Sequence, residues 1–379
     1  MNTTKNVNIA SSASLERRLL AKLVEILLDI DWLTTTRLVE AADSDADAVV
    51  RLSLGGRAVA DLHVDVKREH RPATFLEWAA RREASHRSRG GIRVLAMPHV
   101  SPRLADLCRR AGWSWFDLAG NCRLDVPQLL HVERSGHAPI ERTPSPAANL
   151  GTAAAGRVLR AVLSPAHAGQ TWTQRRLQSA TCWKASGDDG VSLGLVNKVV
   201  RHLTNEGFVE VVDPHGLRVC DPEGLLAAWR DAYRFDRHER RGFFTLLKPA
   251  QLDAALARFS LEAGGMAAYA AFSAADRQAP NVRQHRTWLF VTDAELEKFA
   301  RHAMAKEVDS GENIVVLIPN DSGVLVSFEV EDFATPGLSC TDPVQTYIDL
   351  HHCGSRGEEA AEAILEQRLR PAWRRARSD

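Results

Sequence analysis

Between Thr152 and Asp221 the spacing of apolar residues is helical three times and then strand-like twice. That order restricts the stretch to a small three-helix body closed by a β-hairpin. In TAAAGRVLRAVLS, residues 152–164, Val158, Leu159 and Val162 share an inward face. Gln170-Thr171-Trp172 reads as a short strand. Thr173 then caps a second helix, TQRRLQSATC, because its hydroxyl can accept from a first-turn N–H that has no helical partner. Ser192 caps a third helix, LGLVNKVVRHLTNEG, in which Leu195, Val199 and Leu203 recur every four residues and are expected inside. Asn197, Lys198, Arg201 and His202 fall mostly on the opposite flank, with no acid before Glu206, and Gly207 ends the helix. FVEVV and LRVCD form two strands around the turn Asp213–Gly216.

The helix order, the capping serine, the terminal glycine and the trailing hairpin together resemble the winged-helix family of bacterial regulators. In that family the third helix lies in the major groove with its N-terminal side chains near base edges. The resemblance implies double-stranded DNA as partner, met by Ser192, Leu193, Asn197, Lys198 and Arg201. It also implies contacts from Thr173, Gln174 and Arg175 at the start of the second helix, and from His215 and Arg218 on the hairpin.

A chain of 379 residues is too long for one ordinary core. The aperiodic run HAPIERTPSPAANLG, residues 137–151, carries three prolines and reads as a linker. A weaker boundary follows at about residues 222–242, where a helix over Leu225–Tyr233 gives way to the polar run Arg237 to Arg241. The expected architecture is α+β and multidomain: a mixed α/β domain over 1–140, a winged helix-turn-helix over 151–222, and a C-terminal α/β domain over 223–379. In the first, helix 15–30 precedes strands 47–54 and 57–67, helix 74–87, strand 92–97, helix 102–111 and strands 113–118, 122–126 and 131–134. In the last, 250–259 and 263–274 read as helices, and 287–291, 313–318 and 324–330 as strands. Pro343–His351 and Glu358–Gln367 read as helices too.

The formal net charge is zero, but only 8 of the 48 basic residues are lysine, so the positive charge is mostly guanidinium. Arginine suits bidentate contact with phosphate and guanine, and it also tracks base composition, so placement rather than total charge carries weight. The six cysteines form no C-x-x-C pair, which predicts reduced thiols and no zinc site. With no long apolar run and no apolar leader in Met1–Ser14, a cytoplasmic protein without a membrane partner is expected.

In Asp61-Leu62-His63-Val64-Asp65-Val66-Lys67, strand geometry puts Asp61, His63, Asp65 and Lys67 on one face. Carboxylates beside a lysine suit magnesium-dependent phosphodiester cleavage, the acids holding the ion and the lysine stabilising developing charge. With the preceding helix and hairpin, Asp65-Val66-Lys67 resembles the acid-x-lysine motif of the restriction-endonuclease-like fold. The resemblance implies Asp65 and Lys67 in catalysis with Asp47 or Asp61 as partner acid and Glu25 as a further ligand, and Mg2+ as cofactor only in that case. Asp stands where that fold more often has Glu, and no Pro-Asp pair marks the upstream acid. These departures favour a fold kept for binding or dimerisation. Asp117, before the turn Gly120-Asn121, reads as a turn cap.

Three stretches, residues 92–126, the winged-helix segment and Pro343–Trp373, together resemble the long regulators of the AbiEi antitoxin family of type IV toxin–antitoxin systems. That resemblance implies a DNA-binding repressor with a link to phage defence. A homodimer and a cognate toxin or defence protein are the partners expected with it. No cofactor is expected for that activity.

Overall fold

The strands β1 (Thr35–Val39), β2 (Ala48–Leu54), β3 (Arg57–Val66), β4 (Ile92–Met97), β5 (Ser114–Asp117), β6 (Cys122–Val126) and β7 (Leu130–Arg134) form one sheet in chain order in the computed structural model. The structure describes residues 4–33, 35–39, 45–55, 57–86, 91–141, 148–182, 190–212, 216–328 and 337–378. It divides into two compact units, residues 1–145 with 205–207, and residues 146–204 with 208–379.

In the first unit β1, β2 and β3 run antiparallel to their neighbours, β3, β4 and β5 are parallel, and β6 and β7 return antiparallel. Parallel neighbours need a crossover, here α2 (Pro72–His86) and α3 (Pro102–Arg110). Pro102 opens α3 and the Ser101 hydroxyl accepts from Leu104 N at 3.3 Å. Strand alternation gives the sheet two apolar faces. Leu62, Val64, Val94 and Phe116 meet Leu19, Leu23 and Leu27 of α1 (Thr4–Leu28) on one of them. On the other, Leu95 and Trp115 meet Phe75, Ala79, Leu104 and Leu107 of α2 and α3. Strand β1 has no counterpart among the strands read from the sequence: Thr-Thr-Arg-Leu-Val is short and gains its identity by pairing with β2.

The Asn121 side chain donates to His137 O and accepts from His137 N, both at 2.9 Å, and so ties that residue to the β5–β6 turn.

The second unit opens with α4 (Ala153–Leu163), α5 (Gln174–Ala180), α6 (Leu193–Asn205) and the hairpin β8 (Val209–Val212) and β9 (Gly216–Val219). Trp172 pairs with Leu217 through N–H···O bonds of 2.8 and 2.7 Å, making a short third strand beside the hairpin. Helix α7 (Pro222–Ala232) follows, and then a five-stranded sheet in the order β11-β12-β14-β10-β13. Its strands are β10 (Glu239–Thr245), β11 (Ala267–Tyr269), β12 (Thr287–Val291), β13 (Ala305–Glu307) and β14 (Ile314–Ile318). Helices α8 (Pro249–Ala263) and α10 (Leu296–His302) bury Leu256, Phe259 and Phe299 against one sheet face. The other face carries Phe290, Val315 and Leu317 into a core shared with α9 (Ala271–Gln278), α11 (Pro343–Leu350), α12 (Ser355–Ile364) and helices α4 to α7. A final helix, α13 (Arg370–Ser378), continues from α12 through a wide π turn.

Two expectations for this unit need correcting. The helix read over 263–274 is broken, because Gly264 adopts φ +58° at the end of α8 and the chain enters β11 before α9. Residues 324–328 are a short helical turn and irregular chain rather than strand, and 329–336 lie outside the described residues.

Candidate nucleic-acid interface and a buried acid–arginine cluster

Helix α6 buries Val196, Val199, Val200 and Leu203, each apolar side chain of this size contributing about 1.5–3 kcal/mol when fully removed from water. The Ser192 hydroxyl accepts from Leu195 N at 3.4 Å, and Phe208 N donates to Leu203 O at 2.9 Å as Gly207 turns the chain with φ +72°. Ser192, Asn197, Lys198 and Arg201 are exposed. So are Leu193, at 39%, and Leu195, at 43%. The expectation that Leu195 faces inward is therefore wrong. Val199 and Leu203 are buried as expected, and Val196 and Val200 rather than Leu195 complete the inward stripe, because a 3.6-residue period places 196, 199, 200 and 203 together. His202 is half-buried, and burial holds its pKa below the usual value.

Thr173 accepts from Arg176 N at 3.2 Å and caps α5, where Arg175 is exposed and Gln174 half-buried. On the hairpin, Arg218 is exposed and pairs with Glu210 on the neighbouring strand at 2.8 Å. His215 lies outside the described residues.

The first unit brings Asp47, Asp65 and Lys67 together at one end of β2 and β3. Asp47 Oδ2 accepts from Val66 N at 2.7 Å, and Lys67 Nζ lies 3.9 Å from the same oxygen. Asp61 is elsewhere: four residues up the strand, about 13 Å away, it holds Arg51 through two 2.7 Å bonds. Glu25 is also apart, exposed and paired with Lys22 at 2.7 Å.

Residues that sequence reasoning missed complete the cluster. Arg82 Nη2 lies 2.8 Å from Asp65 Oδ1, and Arg93 Nη1 lies 3.3 Å from Asp65 Oδ2. Arg93 Nη2 donates to both carboxylate oxygens of Asp45 at 2.8 Å, and Arg82 Nη1 donates to Asp45 O at 2.7 Å. Burial pushes the Asp65 carboxyl up to about 6 against the pull of both guanidiniums. One sequence signal was available. Arg93 is the only charge inside the apolar strand Ile92–Met97, and a buried charge requires a partner.

Asp117 is a turn residue: its carboxylate accepts from Asn121 N and Nδ2 at 3.0 Å each. His351 and His352 diverge, His351 against Tyr347 and His352 stacked on Phe235.

A second buried polar group lies between α4 and the C-terminal helices. Arg160 Nη1 donates to Gln345 Oε1 at 2.7 Å, and Gln345 Nε2 donates to Tyr233 Oη at 2.8 Å and to Asp349 Oδ1 at 2.7 Å. His238 Nδ1 accepts from Asn320 N at 3.2 Å, which leaves Nε2–H to donate to the Tyr233 hydroxyl at 2.8 Å. Burial pushes Asp349 up to about 7 and His238 down to about 4. Arg157 and Arg160 share Asp321.

These elements form an α+β chain with more than one sheet, in which helices, hairpin and C-terminal sheet share a core. Residues 218–370 match a family model described as a transcriptional regulator, AbiEi antitoxin, of type IV toxin–antitoxin systems. That part of the chain is thus similar to regulators of toxin–antitoxin systems. The match begins inside β9, so α4 to α6 and the whole first unit stand outside it. No curated protein and no solved structure matches the chain. Among the described residues no helix is long and apolar enough to cross a membrane.

Proposed function

We propose that this protein is a sequence-specific, double-stranded-DNA-binding transcriptional regulator, a repressor of the antitoxin type, in which residues 151–222 act as a winged helix-turn-helix. The observation that carries the reading is the outward flank of α6. Ser192, Asn197, Lys198 and Arg201 are exposed on a helix whose other side is fixed in a core. A rigid rod of about 10–12 Å diameter with polar and cationic side chains fits the major groove. The hairpin with Arg218 would lie on the adjoining backbone, and Thr173, Gln174 and Arg175 would meet phosphate.

The family similarity of residues 218–370 supports the regulatory role and suggests a cognate toxin as protein partner. A homodimer reading a two-fold site is the expected assembly. A cytoplasmic location follows from that role. The test is a mobility-shift titration of the full chain with its own upstream DNA at 50 and 200 mM salt. A salt-sensitive, sequence-dependent shift is expected; equal affinity for unrelated duplexes would sink the reading.

A second reading, metal-dependent DNA cleavage with Mg2+ as cofactor, has the gathering of Asp47, Asp65 and Lys67 in its favour and the Arg82 and Arg93 guanidiniums on Asp65 against it. Incubation of labelled duplex with and without Mg2+ or Mn2+ separates the two. Cleavage abolished by Asp65→Ala and Lys67→Ala would establish the nuclease.

A further inference from the structure

We propose that Arg82 and Arg93 stand where a nuclease-like site would hold its divalent cation, so that the native first unit takes no metal between Asp45, Asp47 and Asp65. The inference rests on the nuclease-like reading of that unit and is independent of the DNA role of α6.

A magnesium-sized ion asks for about six oxygen ligands near 2.1 Å in a regular octahedron. The carboxylates that would supply them already face cations or a backbone N–H. Asp65 is fully buried with a guanidinium facing each oxygen, and Arg93, its side chain 1% exposed, bridges Asp65 to Asp45. The formal charges also balance: Asp45, Asp47 and Asp65 against Lys67, Arg82 and Arg93. An incoming dication therefore meets a neutral cluster and must expel a cation first.

Neither arginine is free to leave. Arg93 Nη2 donates to Arg82 O at 3.0 Å, and its guanidinium lies over the Trp113 ring at 5.9 Å. Arg82 lies over the Trp78 ring at 5.8 Å, beside Lys67 at 5.6 Å on the same ring. The residues present do not fit a divalent cation.

Mn2+ binding to the full-length chain, followed by electron paramagnetic resonance and by the shift in unfolding temperature, tests this. Wild type is expected to bind no Mn2+ that Asp65→Asn removes. Arg82→Ala, which opens the more exposed side of Asp65, and the double change with Arg93→Gln are each expected to gain Mn2+ binding of about millimolar affinity or better. Asp65→Asn added to either should abolish it. Wild-type binding lost in Asp65→Asn overturns the inference, as does a folded Arg82→Ala protein that takes up no Mn2+. Should the double variant fail to fold, Arg82→Ala alone decides. A variant that binds Mn2+ without cutting DNA upholds the arginine substitution while sinking the nuclease-like reading, so the two fail separately.

Discussion

The hydroxyl of Tyr233 donates to Asp349 Oδ1 across 3.0 Å while receiving bonds from Gln345 and His238, so one phenol oxygen uses its whole hydrogen-bonding capacity inside a core. The contact joins the end of α7 to α11, 116 residues away. Tyr233→Phe would strip Asp349 of a donor and leave Gln345 and His238 short of an acceptor. A loss of about 1–3 kcal/mol is expected in urea unfolding. In a double-mutant cycle with Asp349→Asn, a coupling of about 0.5 kcal/mol or more is expected. Strict additivity would show that the pair does not interact.

Stability should depend on pH through Asp349. Its folded pKa of about 7 lies above the ordinary carboxylate value. Its contribution is therefore complete below about pH 4 and is lost as pH rises through 7, because the unfolded chain releases that proton first. Asp349→Asn removes the titration, so the variant should gain on wild type between pH 5 and pH 8. The difference of urea midpoints at those two pH values measures it. A gap independent of pH would refute the assignment.

The two sides of α6 should respond oppositely to truncation. Leu203→Ala, in the core, should cost about 2–5 kcal/mol of stability, while Leu195→Ala, on the exposed flank, should stay within about 0.5 kcal/mol. Thermal or urea unfolding of the two variants gives the answer. A Leu195→Ala loss as large as that of Leu203→Ala would mean that the outward flank is covered.

For DNA, Lys198→Ala and Arg201→Ala should each flatten the plot of log affinity against log salt by about one unit if they meet phosphate. Asn197→Ala should cost about 1–3 kcal/mol at a single base position. Anisotropy titrations over a salt series and a panel of single-base variants read both. Unchanged slopes and unchanged base preference in all three variants would remove α6 from the interface.

How much was legible beforehand differs between the two polar clusters and the helices. Asp47, Asp65 and Lys67 could be named because they sit at strand ends with period-two spacing, and the fold does gather them. That Asp65 would meet Arg82 and Arg93 could not be read, since their partner choice depends on α2 crossing over the sheet between β3 and β4. The Leu195 error has a related cause. A strict four-residue repeat drifts around an α-helix, so Val199 and Leu203 stay on the buried stripe while Leu195 falls off it and Val196 takes its place.

The chain by itself determined its periodicities, caps and turns: Thr173 and Ser192 at helix starts, and Gly207 at a helix end. These are local, because backbone hydrogen bonds and steric limits act within a few residues. Tertiary structure alone decided which charges neutralise one another and which carboxyls hold their protons. Desolvation and ion pairing depend on the distance between groups far apart in sequence, and that distance exists only once the sheets and helices have packed.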